Sequence, residues 1–191
     1  MLIKILKVDQ SWLLAINHFA NSSPFWQVVF KIGGEYLIYA VPVGLIILWF
    51  WSAKSKKIAL RATLAGVASW LIFARILGEI INRPRPFETG GVKEILFHRP
   101  TYSFPSDHAA FFFAMAFSFY FSGYKKLAYF SLATAGLMSL ARIGLGFHFP
   151  LDIIAGAIIG LIVAWLVWLF DRPLNYLYNF LITIAKKLYL A

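Results

Sequence analysis

Apolar residues run along this chain in stretches longer than a soluble core requires. Four of them, residues 25–51, 58–81, 108–124 and 151–170, meet or nearly meet the length of about 20 residues that a helix needs to cross a hydrocarbon layer of about 30 Å. A fifth, residues 127–141, is slightly short and extends through Ile143 and Leu145. The pattern predicts an all-α, polytopic membrane helix bundle with five transmembrane helices, formed by residues 1–191 as a single domain. The two ends are more mixed. Residues 1–20 set Lys4, Lys7, Asp9 and Gln10 among Leu2, Ile5, Trp12 and Ile16, which predicts an amphipathic helix lying at the interface. A short sixth crossing is the competing reading of that stretch. Residues 174–191 repeat the amphipathic pattern, with Asn175, Asn179, Lys186 and Lys187 against Leu177, Phe180 and Ile184. No small-residue cleavage pattern follows the first apolar stretch, so a cleaved signal peptide is not expected.

Composition agrees with a membrane protein, since 61% of the residues are hydrophobic and only 14% charged, against about a quarter charged in soluble domains. The absence of cysteine removes disulfides, thiol nucleophiles and thiolate metal sites. A net charge of +10 would suit nucleic-acid binding on a soluble domain. Here the cations fall between apolar stretches or beside prolines and histidines, with no basic face interleaved with aromatics, so nucleic acid is not an expected partner and membrane lipid is. Lys54, Lys56, Lys57 and Arg61 occupy one short turn, Lys125 and Lys126 another, and Arg172 follows the last crossing. With five crossings these share one side, assigned to the cytoplasm by the excess of basic residues in cytoplasmic loops. Residues 82–107 and 142–150 then lie outside, although they carry Arg83, Arg85, Lys93, Arg99 and Arg142. Cations on the side the rule disfavours have another use. Gly156 and Gly160 make a small-residue stripe in the last crossing, suited to close helix packing within the bundle.

Three clusters on that outer side carry chemistry. In Arg83-Pro84-Arg85-Pro86-Phe87 the prolines end the helix near Arg83 and hold both arginines on a stiff, extended segment. In Phe104-Pro105-Ser106-Asp107-His108, Ser106 is placed to cap the next helix, leaving free N–H groups and a positive helix end beside His108. The third runs from Arg142 through Gly144, Gly146 and His148 to Asp152, with Pro150 suited to the first helical position. Asp152 is placed to accept a hydrogen bond from one ring nitrogen of His148, leaving the other as a nucleophile. Arginines match phosphate by paired hydrogen bonds, and two histidines can divide phosphoryl transfer as nucleophile and general acid. The carboxylates are too few and too scattered for a metal pair, so metal-independent hydrolysis without a cofactor is expected.

Arg83-Pro84, then Pro105-Ser106-Asp107-His108, then Arg142, His148 and Asp152 in fixed spacing resemble the three ordered signatures of the type 2 phosphatidic acid phosphatase superfamily. The likeness spans about residues 75–152. It implies that His148 attacks phosphorus to give a phosphohistidine, Asp152 orients it and His108 protonates the leaving oxygen. Arg83, Arg142, Ser106 and nearby amides would then hold the phosphoryl oxygens. The family's first signature usually opens with a lysine seven residues before its arginine. Counted from Arg83 that position is Ile76, which leaves Arg75, Arg85 and Lys93 as the candidate cations. Asp107 stands where glycine is commoner, and this variant resembles the bacterial undecaprenyl-diphosphatase branch. The resemblance therefore implies hydrolysis of undecaprenyl diphosphate at the outer face of the cytoplasmic membrane. A phosphatidylglycerophosphate or phosphatidate phosphatase is the alternative, and a lipid or anion transporter is the alternative from another class.

Overall fold

Helix ends fall where the sequence supplies caps and breaks. The computed structural model describes residues 2–89, 91–93, 95 and 101–190. Helix α1 (Leu2–Ala20) is followed by α2 (Pro24–Lys31), which starts on a Ser23 cap with proline in its first turn. α2 runs through a π-helical turn at Ile32–Tyr36 and a tight turn at Leu37–Tyr39 into α3 (Ala40–Trp51). α4 (Ala53–Ala68) begins in a Ser52/Ser55 capping box and continues through a second π-helical turn, Ser69–Ala74, into α5 (Arg75–Ile81). Asn82, at φ 47°, closes α5, and the arginine-proline segment then leaves extended, as proline requires. α6 (Asp107–Phe121), α7 (Lys125–Gly144), α8 (Pro150–Leu169) and α9 (Asp171–Lys187) complete the bundle.

Four stretches, Pro24–Trp51, Ala53–Glu88, Lys125–Gly144 and Pro150–Leu169, are long and apolar enough to cross a membrane. The fifth expected crossing, α6, has 15 residues and spans only about 22 Å at 1.5 Å per residue. It ends before the expected Tyr124 because Gly123, at φ 84°, turns the chain. α6 is also the most enclosed helix: Ala109, Ala110, Phe112, Ala114, Met115 and Phe119 are buried against α4, α7 and α8. Outward-facing Phe50, Trp51, Ile80, Phe130, Leu137 and Ile154 are exposed, the arrangement of a bundle whose solvent is hydrocarbon.

Two glycines set the seam between α6 and α8. A Cβ added at Gly156 would lie 2.5 Å from the Ser106 carbonyl oxygen, and one at Gly160 would lie 2.7 Å from that of Ala110. Their missing side chains let α8 close on α6, so the small-residue stripe packs inside the bundle as expected. The same approach brings two signatures together, since the Ser106 N–H donates to the Asp152 carbonyl at 3.0 Å. At the opposite end Arg61 pairs with Asp171 and donates to Ser122 Oγ at 2.7 Å, joining α4, the α6–α7 turn and α9.

The amino-terminal helix keeps Lys4, Lys7 and Gln10 exposed, as an amphipathic helix does, but turns Asp9 inward. Its buried stripe is Asp9, Leu13, Asn17 and Ala20, while Ile3, Leu6, Trp12 and Phe19 face outward. The two polar side chains of α1 that turn inward, Asp9 and Asn17, find partners inside the protein. Asn17 donates from Nδ2 to the carbonyls of Gly144 (2.8 Å) and Lys93 (3.0 Å) and accepts from the Lys93 N–H at 3.1 Å.

Candidate active site

The loops after α5 and α7 and the first turns of α6 and α8 meet at one end of the bundle. Each is positioned by its own sequence. Ser106 caps α6, its Oγ accepting from the Ala109 N–H at 3.4 Å. Pro150 opens α8, and Asp152 Oδ2 reaches back to accept the Phe149 N–H at 2.8 Å, as a capping-box acid does. Gly146, at φ 82°, turns the chain between Arg142 and His148.

His148 is fully buried, and its surroundings determine which nitrogen carries the proton. Nδ1 lies 2.8 Å from the Ser103 carbonyl oxygen, which only accepts, so Nδ1 is the N–H. Nε2 lies 3.5 Å from Nη1 of Arg85, which only donates, so Nε2 presents its lone pair. Both neighbours demand one tautomer, the one that leaves Nε2 nucleophilic. The imidazole stays neutral well below its usual range: burial, with the nearby Arg142 and Arg85 charges, pushes it down to about 4 while Asp152 pulls the other way.

This geometry corrects the expected role of Asp152. Its nearer oxygen is 3.8 Å from His148 Nδ1, beyond hydrogen-bond length, and the Ser103 carbonyl holds the ring instead. Asp152 Oδ1 pairs with Arg83 Nη1 at 2.6 Å. Arg83 in turn binds Asp9 Oδ2 at 2.8 Å and lies over the Phe149 ring at 3.8 Å, so its charge is committed to two carboxylates. The arginine at the histidine is Arg85, buried, donating to the Phe147 carbonyl at 3.0 Å and to Thr101 Oγ1 at 2.8 Å. Spacing alone could not choose between two arginines one proline apart; the carboxylates that claim Arg83 make the choice.

Arg142 is buried beneath the same loop. Nη1 donates to the Gly34 carbonyl at 2.9 Å, made reachable by the π-helical turn of the second helix, whose Gly33 and Gly34 let α7 approach. Nε and Nη2 are buried with no acceptor among the described residues, the state of donors kept for an anion. His108 stands in the first turn of α6 with Nδ1 2.8 Å from Asp107 Oδ1. Asp107, expected from the sequence only as a departure from the commoner glycine and a candidate for binding substrate, is thus engaged by a histidine, and it lies in electrostatic reach of His148 and Arg142 as well.

Two of the proposed cations stay outside the cluster. Arg75 is exposed on α5, 3.4 Å from Glu79 one turn on. Lys93 has an exposed side chain, and only its backbone is tied, to Asn17. Arg99 lies outside the described residues. Counted from Arg85, the position of the usual lysine is Gly78, where an added Cβ would meet the Tyr102 ring at 2.9 Å. Among the described residues no group of three or more His, Asp or Glu side chains is placed to hold a metal ion. An apolar cavity of about 180 Å³, with Ile38, Val41, Trp70 and Phe111 in its wall, is bounded at one side by Asp107 and His108.

A membrane bundle that gathers two histidines, each beside a carboxylate, with buried arginines at one end is the architecture of a phosphate-processing membrane enzyme. Residues 59–176 match the PAP2 superfamily, and the chain belongs to it. The chain is 31% identical over 168 residues to the bacitracin transport permease protein BcrC of Bacillus licheniformis, covering 87% of this chain and 82% of that one. It is 29% identical over 143 residues to the undecaprenyl-diphosphatase BcrC of Bacillus subtilis, covering 74% and 72%. Among solved structures, LpxE of Aquifex aeolicus superposes with a TM-score of 0.65 at 26% identity, over 83% of this chain and 93% of that one. The chain is a membrane protein of the PAP2 phosphatase family, as the three ordered signatures imply.

Proposed function

We propose that this protein hydrolyses undecaprenyl diphosphate to undecaprenyl phosphate and inorganic phosphate through a phosphohistidine at His148. One observation carries the mechanism: a buried imidazole whose Nδ1–H is held by the Ser103 carbonyl, with its Nε2 lone pair beside Arg85. Nε2 attacks the terminal phosphorus, the bond to the bridging oxygen breaks, and His108 gives its proton to the departing undecaprenyl phosphate. Asp107, accepting from Nδ1 of His108, holds the ring and leaves Nε2 as the nitrogen that exchanges the proton. Water then gives a proton to His108 and attacks phosphorus, breaking the P–N bond and releasing phosphate. Arg85 and the two Arg142 donors that have no acceptor among the described residues supply fixed positive charge to the phosphoryl oxygens. Asp152, 3.8 Å from Nδ1, stabilises the charge that develops on the ring.

The apolar cavity beside His108 supports a lipid substrate, since a hydrocarbon tail can stay in an apolar wall while its diphosphate reaches the arginines. The polyprenyl choice rests on the similarity to relatives named for that substrate. The outer face of the cytoplasmic membrane is supported by the basic starts of α4, Lys54 to Arg61, and of α7, Lys125 and Lys126, at the end opposite the site. The test is phosphate release by purified protein in detergent from undecaprenyl diphosphate, phosphatidylglycerophosphate and phosphatidate, with His148→Ala in parallel. Preference for the polyprenyl diphosphate, lost in the variant, is the expected result. Preference for a glycerolipid overturns the substrate, and release from none overturns catalysis in favour of transport.

A further inference from the structure

The amino-terminal helix sends a carboxylate into the site from a stretch outside the three signatures. Asp9 is buried, its side chain 1% exposed. Oδ1 accepts the Leu151 N–H at 2.8 Å, one of the free donors in the first turn of α8, the turn that carries Asp152. Oδ2 pairs with Arg83 Nη2 at 2.8 Å, and Nη1 of the same arginine pairs with Asp152 Oδ1 at 2.6 Å. A neutral acceptor would satisfy Leu151. A buried charge is needed only for the second contact, because an unpaired carboxylate in this place is costly and a paired one fixes its partner.

We infer that Asp9 is a positioning residue for the phosphatase reaction: with Arg83 it holds the first turn of α8 and the Asp152 carboxylate against His148, which makes α1 part of the active site. The inference rests on the nucleophile assigned to His148 above. With two carboxylates on one arginine, Asp152 keeps a net negative field at His148 Nδ1. With Asp9 neutralised, Arg83 bears on Asp152 alone and that field weakens as the ring becomes cationic. Asp9 has no contact with the donors of Arg85 or Arg142, so substrate binding is left as it was.

The experiment uses the full chain in detergent and the lipid phosphate that the wild type turns over fastest. Asp9→Asn is nearly isosteric and keeps an acceptor for Leu151. It is expected to lower kcat about tenfold, the size of a coupling between groups in one charge network, with KM within about twofold. Asp9→Glu, which keeps the charge, should recover part of the loss. Asp9→Asn combined with Arg83→Gln should be no slower than Arg83→Gln alone. Losses that multiply in the double variant, a kcat within about twofold of wild type, or a KM that rises in step with the fall in kcat would each overturn the inference. If Asp9→Asn does not fold, Asp9→Ser, whose hydroxyl still accepts from Leu151, takes its place; failure of both to fold would assign Asp9 to the fold alone. An inactive wild type would remove the phosphatase reading and this role with it. An active wild type with an unchanged Asp9→Asn removes only this role.

Discussion

Replacing Asp152 with asparagine separates two ways in which a carboxylate can serve a nucleophilic histidine. If it orients the ring by a hydrogen bond, its loss misplaces the nucleophile and activity falls to the level of His148→Ala. The structure gives orientation to the Ser103 carbonyl, 2.8 Å from Nδ1, and leaves Asp152 acting as a charge at 3.8 Å. Attack on phosphorus turns the neutral ring into a cation, and a unit charge at that separation contributes about 4 kcal/mol at an effective dielectric constant of about 20. Arg83, bound to the far oxygen of the same carboxylate, cancels about half of it. About 2 kcal/mol remains, or about thirtyfold in kcat. The amide still offers the Phe149 N–H an oxygen, so the first turn of α8 persists and KM is expected to stay within a few-fold. Steady-state phosphate release, with circular dichroism to establish folding, measures the effect. A folded Asp152→Asn as dead as His148→Ala would refute the division of labour, and so would one with a kcat within threefold of wild type.

Because the folded imidazole of His148 sits near 4, below its unfolded value of about 6.5, its neutrality stabilises the protein fully above pH 6.5, and that contribution declines as pH falls toward 4. The melting temperature of wild type should therefore drop more between those values than that of His148→Gln; parallel curves would contradict the shift. Gly156→Ala puts a Cβ against the Ser106 carbonyl in the α6–α8 seam and should cost about 1–3 kcal/mol, lowering the melting temperature by about 2–10 °C with loss of activity. An unchanged melting curve would mean the seam is looser than 2.5 Å implies. Arg75→Ala, on an exposed surface pair, should leave kcat and KM within twofold, and a tenfold loss in either would return that residue to the site.

The sequence was legible where local chemistry dictates geometry. Ser106 caps α6, Pro150 opens α8, and the prolines after Arg83 end α5, because each acts within three or four residues of itself. The three signatures meet at one end because alternate loops of an antiparallel bundle must. What stayed hidden depended on distant partners. Arg83 and Arg85 are equivalent in local pattern, and only Asp9 on α1 and Asp152 on α8 distinguish them. The Ser103 carbonyl that holds His148 is a main-chain group with no signature in the residue string. Asp9 reads, with Lys4, Lys7 and Gln10, as the wet face of an interfacial helix. Its helical spacing with Leu13, Asn17 and Ala20 puts the four on one face, and that is the face that packs against protein. The acceptor for Arg142 at Gly34 depends on a π-helical turn, which Gly33-Gly34 inside an apolar run permits without announcing.

The mechanism turns on a covalent bond between phosphorus and Nε2 of His148, which rapid quenching can trap. Wild-type protein mixed with undecaprenyl diphosphate labelled at the terminal phosphate is stopped in alkali within milliseconds. It should carry label on protein that survives base, is released by acid and maps by mass spectrometry to the peptide containing His148, with none on His148→Ala. Turnover at the normal rate with no labelled protein at any quench time, or with label on another residue, would contradict the account.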